Sequence, residues 1–172
     1  MARHTLALAR VYGLLEPGPV LLLSTRHKGR DNVMALSWHT MMDFEPPLVG
    51  CVVSGRDFSF AALKATRECV LNIPAAGLAA KVVACGNSSG RRVDKFAVPA
   101  KLVGSPLVAE CWANLECRVV DTRLVNRYNF FVLEVVKAWI DPTVKDPRTL
   151  HHRGRGVFMV AGESIRLPSR AK

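Results

Sequence analysis

The sequence predicts a mainly β protein, a β-barrel with short helices inserted, and three observations carry that prediction. Apolar runs of strand length recur along the 172 residues and read as about six strands, while only two or three short segments switch to a helical period. The two longest strand-like segments are neighbours late in the chain, which suits antiparallel pairing. No regular alternation of strand and helix appears, and neither GxGxxG nor GxxxxGK[ST] is present, so a doubly wound nucleotide fold is excluded.

The elements follow in order. PVLLLST (19–25) lies between Pro19 and the turn-like RHKGRDN, so it reads as a strand ending in a hairpin or loop. NVMALSWHTM (32–41), with scarcely a charge, follows as its return strand. Its neutrality has two competing accounts: a buried strand, or the wall of a pocket for something flat and aromatic. PPLVGCVVS (46–54) is a third strand, opened by two prolines that cannot sit inside a ladder and stopped by Gly55. In RDFSFAALKATRE (56–68), Phe58, Ala61, Ala62 and Ala65 stand at helical spacing, with Asp57 as N-cap. CVLNIP (69–74) is a strand closed by Pro74, and AGLAAKVVACGN (76–87) is a second helix with Gly86 and Asn87 as stop signals. After the polar loop SSGRRVDKF (88–96) and an irregular stretch come CWANLECRVVDTRLV (111–125) and YNFFVLEVVKAWI (128–140), joined by a short turn near Asn126. GVFMVAG (156–162) is one more short strand, and RLPSRAK (166–172) a loose tail.

Composition bounds the rest. A 49% hydrophobic content supplies a sizeable core for a single domain over residues 1–172. No apolar run approaches the roughly 20 residues that span a bilayer. The opening MARHTLALARVYGLL is too broken by Arg and His for a signal peptide, so the expected location is the cytoplasm, without membrane attachment. The five cysteines form no CxxC pair and mostly sit in apolar surroundings, which predicts buried reduced thiols. A net charge of +10 points to an anionic partner or a basic surface. The basic residues are dispersed apart from RHKGR (26–30) and HHRGR (151–155), and neither cluster holds the aromatics that a nucleic-acid stacking platform needs.

Motifs for side-chain chemistry are missing: no HExxH, no GxSxG, no carboxylate pair, and no His or Cys set with zinc spacing. His151 and His152 are adjacent, so in a strand they point to opposite faces and ligate one metal poorly. No metal site and no catalytic side chain are predicted. Chemistry carried by a cofactor fits better, with the protein supplying position and electrostatics. Ser54, Arg56 and Ser59 flank a helix N-terminus suited to a phosphate, although a solvated turn explains them as well. Arg91, Arg92, Lys95 and Phe96 put cations and a ring in one loop.

The order of PVLLLST, N-x-M-x-x-S-W, PPLVGCVVSGRDFSF, CVLNIP, SGRRVDKF, ECWANLECRV and YNFFVLEVVKAWI resembles the flavin reductase-like family of FMN-binding split barrels, in particular its flavoredoxin-like members, over about residues 17–162. The resemblance implies a six-stranded antiparallel split β-barrel of Greek-key type. It also implies a homodimer that holds FMN, or alternatively FAD, in a shared cleft. By position, Met34, Ala35, Ser37 and Trp38 would line the flavin ring through backbone amides and close packing. Ser54, Arg56 and Ser59 would hold the ribityl chain and phosphate, Asn72 would border the pocket, and Lys95 with Phe96 would close over the cofactor. Many relatives carry a His near the penultimate strand, where this chain has Tyr128 and Asn129. His152 and Phe158 occupy the region where relatives place an aromatic. The implied activity is NAD(P)H-dependent reduction of flavin by hydride transfer. A flavoredoxin-type carrier that exchanges electrons with a partner protein is the alternative, and a basic nucleic-acid-binding barrel a third.

Overall fold

The protein is described from a computed structural model, which covers residues 3–15, 17–93, 95 and 105–168. Its centre is an antiparallel sheet curled into a barrel. The strands are β1 (His4–Leu6), β2 (Leu21–His27), β3 (Arg30–Leu36), β4 (His39–Phe44), β5 (Pro47–Val52), β6 (Glu68–Ile73), β7 (Ala113–Asp121) and β8 (Phe130–Ile140). They pair in the order β3-β2-β6-β7-β8-β5-β4, with β1 added to β8. The two ends of that path, β3 and β4, are joined covalently at Ser37 and Trp38 but share no ladder, so the barrel is split there.

This break corrects the sequence reading of 32–41 as one return strand. The β2–β3 hairpin turns at Lys28 and Gly29, both at positive φ, and runs in register from His27↔Arg30 to Leu21↔Leu36. The chain then bends, and β4 pairs with β5 instead. The local pattern is neutral and extended on both sides of the corner, so nothing in it announces the change of partner.

Helices α1 (Tyr12–Leu15), α2 (Phe58–Thr66), α3 (Ala79–Asn87) and α4 (Val125–Tyr128) decorate the barrel. Asp57 takes the N-cap position of α2 as expected, but its side chain makes no capping bond; Arg67 ends the helix in the left-handed conformation. Gly86 and Asn87 are the last residues of α3 rather than stops beyond it. The predicted turn near Asn126 is the single helical turn α4, closed by Asn129 at φ 56°. The tail strand β10 (Phe158–Val160) pairs with β9 (Leu150–His152) in a separate hairpin, not with the barrel.

Two apolar layers hold the fold. The barrel interior is filled by residues such as Leu21, Leu23, Leu36, Leu71, Leu115 and Phe131. A second cluster of Val20, Leu22, Val33, Val82, Cys111 and Leu150 lies outside the barrel, under α3 and the β9–β10 hairpin. Strand β2 therefore contributes to both, Leu21 and Leu23 inward and Leu22 outward, and this is why PVLLLST is continuously apolar rather than alternating. Each fully buried Leu or Phe contributes roughly 1.5–3 kcal/mol relative to exposure. No helix among the described residues is long and apolar enough to cross a membrane.

Four of the five cysteines are buried, and all are free thiols. Cys69 and Cys117 face each other across β6 and β7; the contact with Cys117 and then burial push the Cys69 thiol far up, and burial pushes that of Cys51 far up and that of Cys111 to about 12. Thiolate is the reactive form, so these groups are shielded both sterically and electrostatically. Titration of the native protein with a thiol reagent at neutral pH is expected to report one slow cysteine, the half-buried Cys85, and all five only after denaturation. Rapid labelling of three or more in the native protein would contradict this packing.

Candidate functional site

The site is assembled around the corner at the split. The Val52 N–H donates to the Trp38 carbonyl at 3.0 Å, so the corner lies beside the end of β5 and the exposed Ser54–Arg56 turn that follows it. That turn is internally ordered: the Arg56 N–H donates to Ser54 Oγ at 3.2 Å and the Asp57 N–H to the Ser54 carbonyl at 2.9 Å. Asn129 closes the far side, its carbonyl accepting from the Val53 N–H at 3.0 Å and its side chain adjoining Gly55. The Arg56 guanidinium enters no ion pair among the described residues.

On the other flank, β3 presents an unpaired edge. The Lys95 ammonium donates to the Val33 carbonyl at 2.9 Å and to the Cys85 carbonyl at the end of α3 at 2.8 Å. Since Val33 directs its carbonyl away from β2, and backbone direction repeats every second residue in an antiparallel strand, Ala35 turns its N–H and C=O to the same open edge. Met34 and Ala35 do not present their side chains together: Met34 packs into the barrel interior and Ala35 lies under α3, near Gly86. Only the backbone of this pair is suited to line a ring. Ser37 is exposed and Trp38 is 71% exposed, so the strand-core account of Trp38 fails and its indole stands free at the corner.

Three of the residues singled out in the sequence occupy other places. Ser59 is fully buried, its Oγ 2.7 Å from Asn32 Nδ2 and 3.5 Å from Thr25 Oγ1, so it pins α2 to β2 and β3 instead of reaching a phosphate. Asn72 is likewise fully buried. Its Nδ2 donates to the Leu22 carbonyl, Ser24 Oγ and the Val70 carbonyl at 2.8–3.2 Å, and its Oδ1 accepts from the Val108 N–H and Asn114 Nδ2 at 3.0 and 2.8 Å. With both ends of its amide engaged, Asn72 ties the 106–108 segment to the barrel and does not border a pocket. Lys95 is spent on two carbonyls and lies near the Asp57 carboxyl; burial pulls its pKa down, and burial pushes that of Asp57 up. Phe96 lies outside the described residues.

The remaining candidates divide. Tyr128 is exposed, with the Arg127 guanidinium 5.1 Å from its ring, whereas Asn129 belongs to the corner. His152 and Phe158 pack against each other across the β9–β10 hairpin, their ring centroids 5.2 Å apart and their planes tilted by 48°. His151 bonds Thr149 at 3.0 Å, so the two adjacent histidines diverge as strand geometry requires. No group of three or more candidate metal ligands exists among the described residues.

Two features went unnoticed in the sequence. Gly90 fits against Asn32 and Phe58 so closely that a Cβ there would lie 1.9 Å from Asn32 Oδ1, which makes the glycine a requirement for seating the 88–93 loop. His39 donates from Nε2 to the Pro19 carbonyl at 2.7 Å, bridging β4 to the lead-in of β2 across the split, and burial lowers its pKa. It also lines a cleft of about 310 Å³ with Tyr12, Met41, Met42 and Phe44. A lone His and a lone Gly give no sequence signal beyond their residue type.

The model of the flavin reductase like domain matches residues 14–158. The chain is 32% identical to the uncharacterized protein YddH of Escherichia coli K12 over 88% of this chain and 91% of that one. It superposes on an FMN-binding domain of a flavin reductases-like enzyme from Shewanella baltica with a TM-score of 0.90, 28% identity, and coverage of 97% and 98% of the two chains. The flavoredoxin of Methanosarcina acetivorans gives a TM-score of 0.75, 28% identity, and coverage of 88% and 89%.

Replacing Asn72 by Leu leaves the Val108 N–H without its acceptor and removes one bond each from Asn114 Nδ2, Ser24 Oγ and the Leu22 carbonyl. The expected loss is about 3 kcal/mol or more of folding stability, read as a lower urea midpoint at unchanged m-value. A shift below about 1 kcal/mol would mean that the network does not hold the 106–108 segment.

Proposed function

The chain belongs to the flavin reductase-like family, and from that premise we propose that it is a flavin-binding oxidoreductase that uses FMN, with NAD(P)H as electron donor. The observation that carries the reading is the meeting of an uncharged corner with a phosphate-competent turn through the Val52–Trp38 hydrogen bond. A flavin ring is flat and edged with acceptors and one N–H, so it requires small neutral surroundings and backbone partners at its rim. The Ala35 backbone edge, Ser37 and Trp38 supply these. Ser54 and the unpaired Arg56 supply a hydroxyl and a cation for the phosphate, while Asn129 supports the turn from behind.

FMN, when bound, supplies the acceptor for a hydride from the nicotinamide, chemistry that asks stacking and distance control of the protein rather than a proton donor. Among the described residues at the corner, the His39 ring, its pKa lowered by burial, is engaged with the Pro19 carbonyl, and Lys95 with two carbonyls. Trp38 at the corner and Met42 and Phe44 on the end strand β4 are large apolar side chains exposed by 71%, 50% and 45%, and this supports a homodimer in which a second copy covers the corner and completes the cleft. FAD in place of FMN requires only that the adenosine half lie outside the turn.

The likeness to a flavoredoxin favours a second reading, in which the flavin is retained and exchanges electrons with a protein. The two part on one measurement. Anaerobic addition of NADH or NADPH to the flavin-loaded protein is expected to bleach the yellow absorbance; no bleaching with either removes the reductase reading and leaves the carrier. Arg56→Ala is expected to weaken FMN by about 1.5–3 kcal/mol, roughly ten- to a hundredfold in Kd, with little change for riboflavin, measured by fluorescence quenching. Equal loss for both ligands would place Arg56 away from the phosphate.

A further inference from the structure

The β9–β10 hairpin is not needed to close the barrel, yet it is anchored with more bonds than an idle excursion requires. Leu150 is buried in the outer cluster. The Val20 N–H donates to the Leu150 carbonyl at 2.7 Å, the Ala76 N–H to the Arg148 carbonyl at 2.7 Å, and the Ala161 N–H to the Thr149 carbonyl at 2.9 Å. The tip is fixed as well: the Arg153 N–H donates to the Val157 carbonyl at 2.8 Å and the Val157 N–H to the Gly154 carbonyl at 2.9 Å, with Gly154, Arg155 and Gly156 all at positive φ. A non-glycine residue in the left-handed region carries a conformational cost, and here it is borne by an arginine held at the apex.

The hairpin stands beside the corner. Its anchor Val20 precedes Leu21, which pairs with Leu36 just before Ser37 and Trp38, and Pro19 receives the His39 bond from the other side of the split. Its charge is of one sign: residues 147–162 contain Arg148, Arg153 and Arg155 and no Asp or Glu. Arg153 and Arg155 are exposed and enter no ion pair among the described residues. On the same hairpin, the His152 and Phe158 rings pack against each other at 5.2 Å, tilted by 48°, and offer aromatic faces.

We propose that this hairpin is the adenosine end of the nicotinamide site, with Arg153 and Arg155 taking the 2′-phosphate of NADPH and the His152–Phe158 pair supporting the adenine, so that the protein prefers NADPH to NADH. A phosphate monoester fits two guanidinium forks, whereas a dinucleotide that ends in a free ribose diol asks for a carboxylate to accept its hydroxyls, and the hairpin has none. Fixing the tip beforehand lowers the entropy lost when the ligand binds. Because the arginines are exposed, added salt weakens the interaction. The inference rests on the nicotinamide-dependent reading given above.

The test uses the flavin-loaded protein and its Arg153→Ala/Arg155→Ala variant, with 2′,5′-ADP and 5′-ADP as probes in calorimetric titration. The first carries a phosphate on the ribose 2′ oxygen, and the second has a free 2′-hydroxyl with its second phosphate on the 5′ chain. The wild type is expected to bind 2′,5′-ADP more tightly, and the variant to lose about tenfold for that probe alone. In turnover, the KM for NADPH is expected to rise by a similar factor, while kcat, the KM for NADH and the flavin content stay unchanged. Equal binding of the two probes by the wild type, or an equal loss of both in the variant, overturns the inference. Discrimination between the probes without any reduction of the flavin by NADPH would retain the hairpin as a ribose-phosphate site and discard the reductase reading; reduction by NADPH without discrimination would do the reverse.

Discussion

The failure of β3 and β4 to pair with each other is the constraint on which the rest of the molecule depends. A closed barrel leaves no edges, whereas this one ends in two, and every unpaired backbone group at such an edge needs a partner or water. The chain meets the need unevenly. Lys95 takes the Val33 carbonyl, and Val52 and His39 secure the turn between the two strands through the Trp38 and Pro19 carbonyls. The Ala35 backbone is left facing outward. A planar ligand with donors and acceptors along one rim suits an edge of this kind.

The buried polar groups tie loops and helices to the barrel wall. Asn72 and Asn114 lock the 106–108 segment over β6 and β7, and Ser59 with Asn32 and Thr25 locks α2 over β2 and β3. Each cluster is fully buried, where an apolar side chain would pack with less directional preference. Hydrogen-bonded amides specify position more sharply than methyl groups do, at the cost of being sensitive to the loss of any one member. The apolar layers inside and outside β2 supply the bulk of the stabilisation, and the amides decide where the loops lie.

The distribution of charge follows the same division. Cations close to the corner are partly engaged with carbonyls, while those on the Ser54–Arg56 turn and the hairpin tip are exposed and unpaired among the described residues. A net charge of +10 thus includes a few guanidinium groups held on ordered turns beside an uncharged corner.

By itself the sequence determined the β-rich class, the presence of helices within 56–68 and 76–87, the buried free thiols and the likeness to a flavin reductase-like barrel, because strand and helix periods and the order of short segments are local properties. Tertiary structure alone decided which polar residues meet solvent. Ser54 and Ser59 look equivalent in SGRDFSF, yet the first is exposed and the second is buried against Asn32, 27 positions away. Asn72 is indistinguishable in sequence from a residue at a pocket rim until Val108 and Asn114, 36 and 42 positions on, claim its oxygen. The split itself hides for the same reason: Ser37 and Trp38 continue an extended, neutral run, and only the strand each half finds to pair with turns that run into a corner.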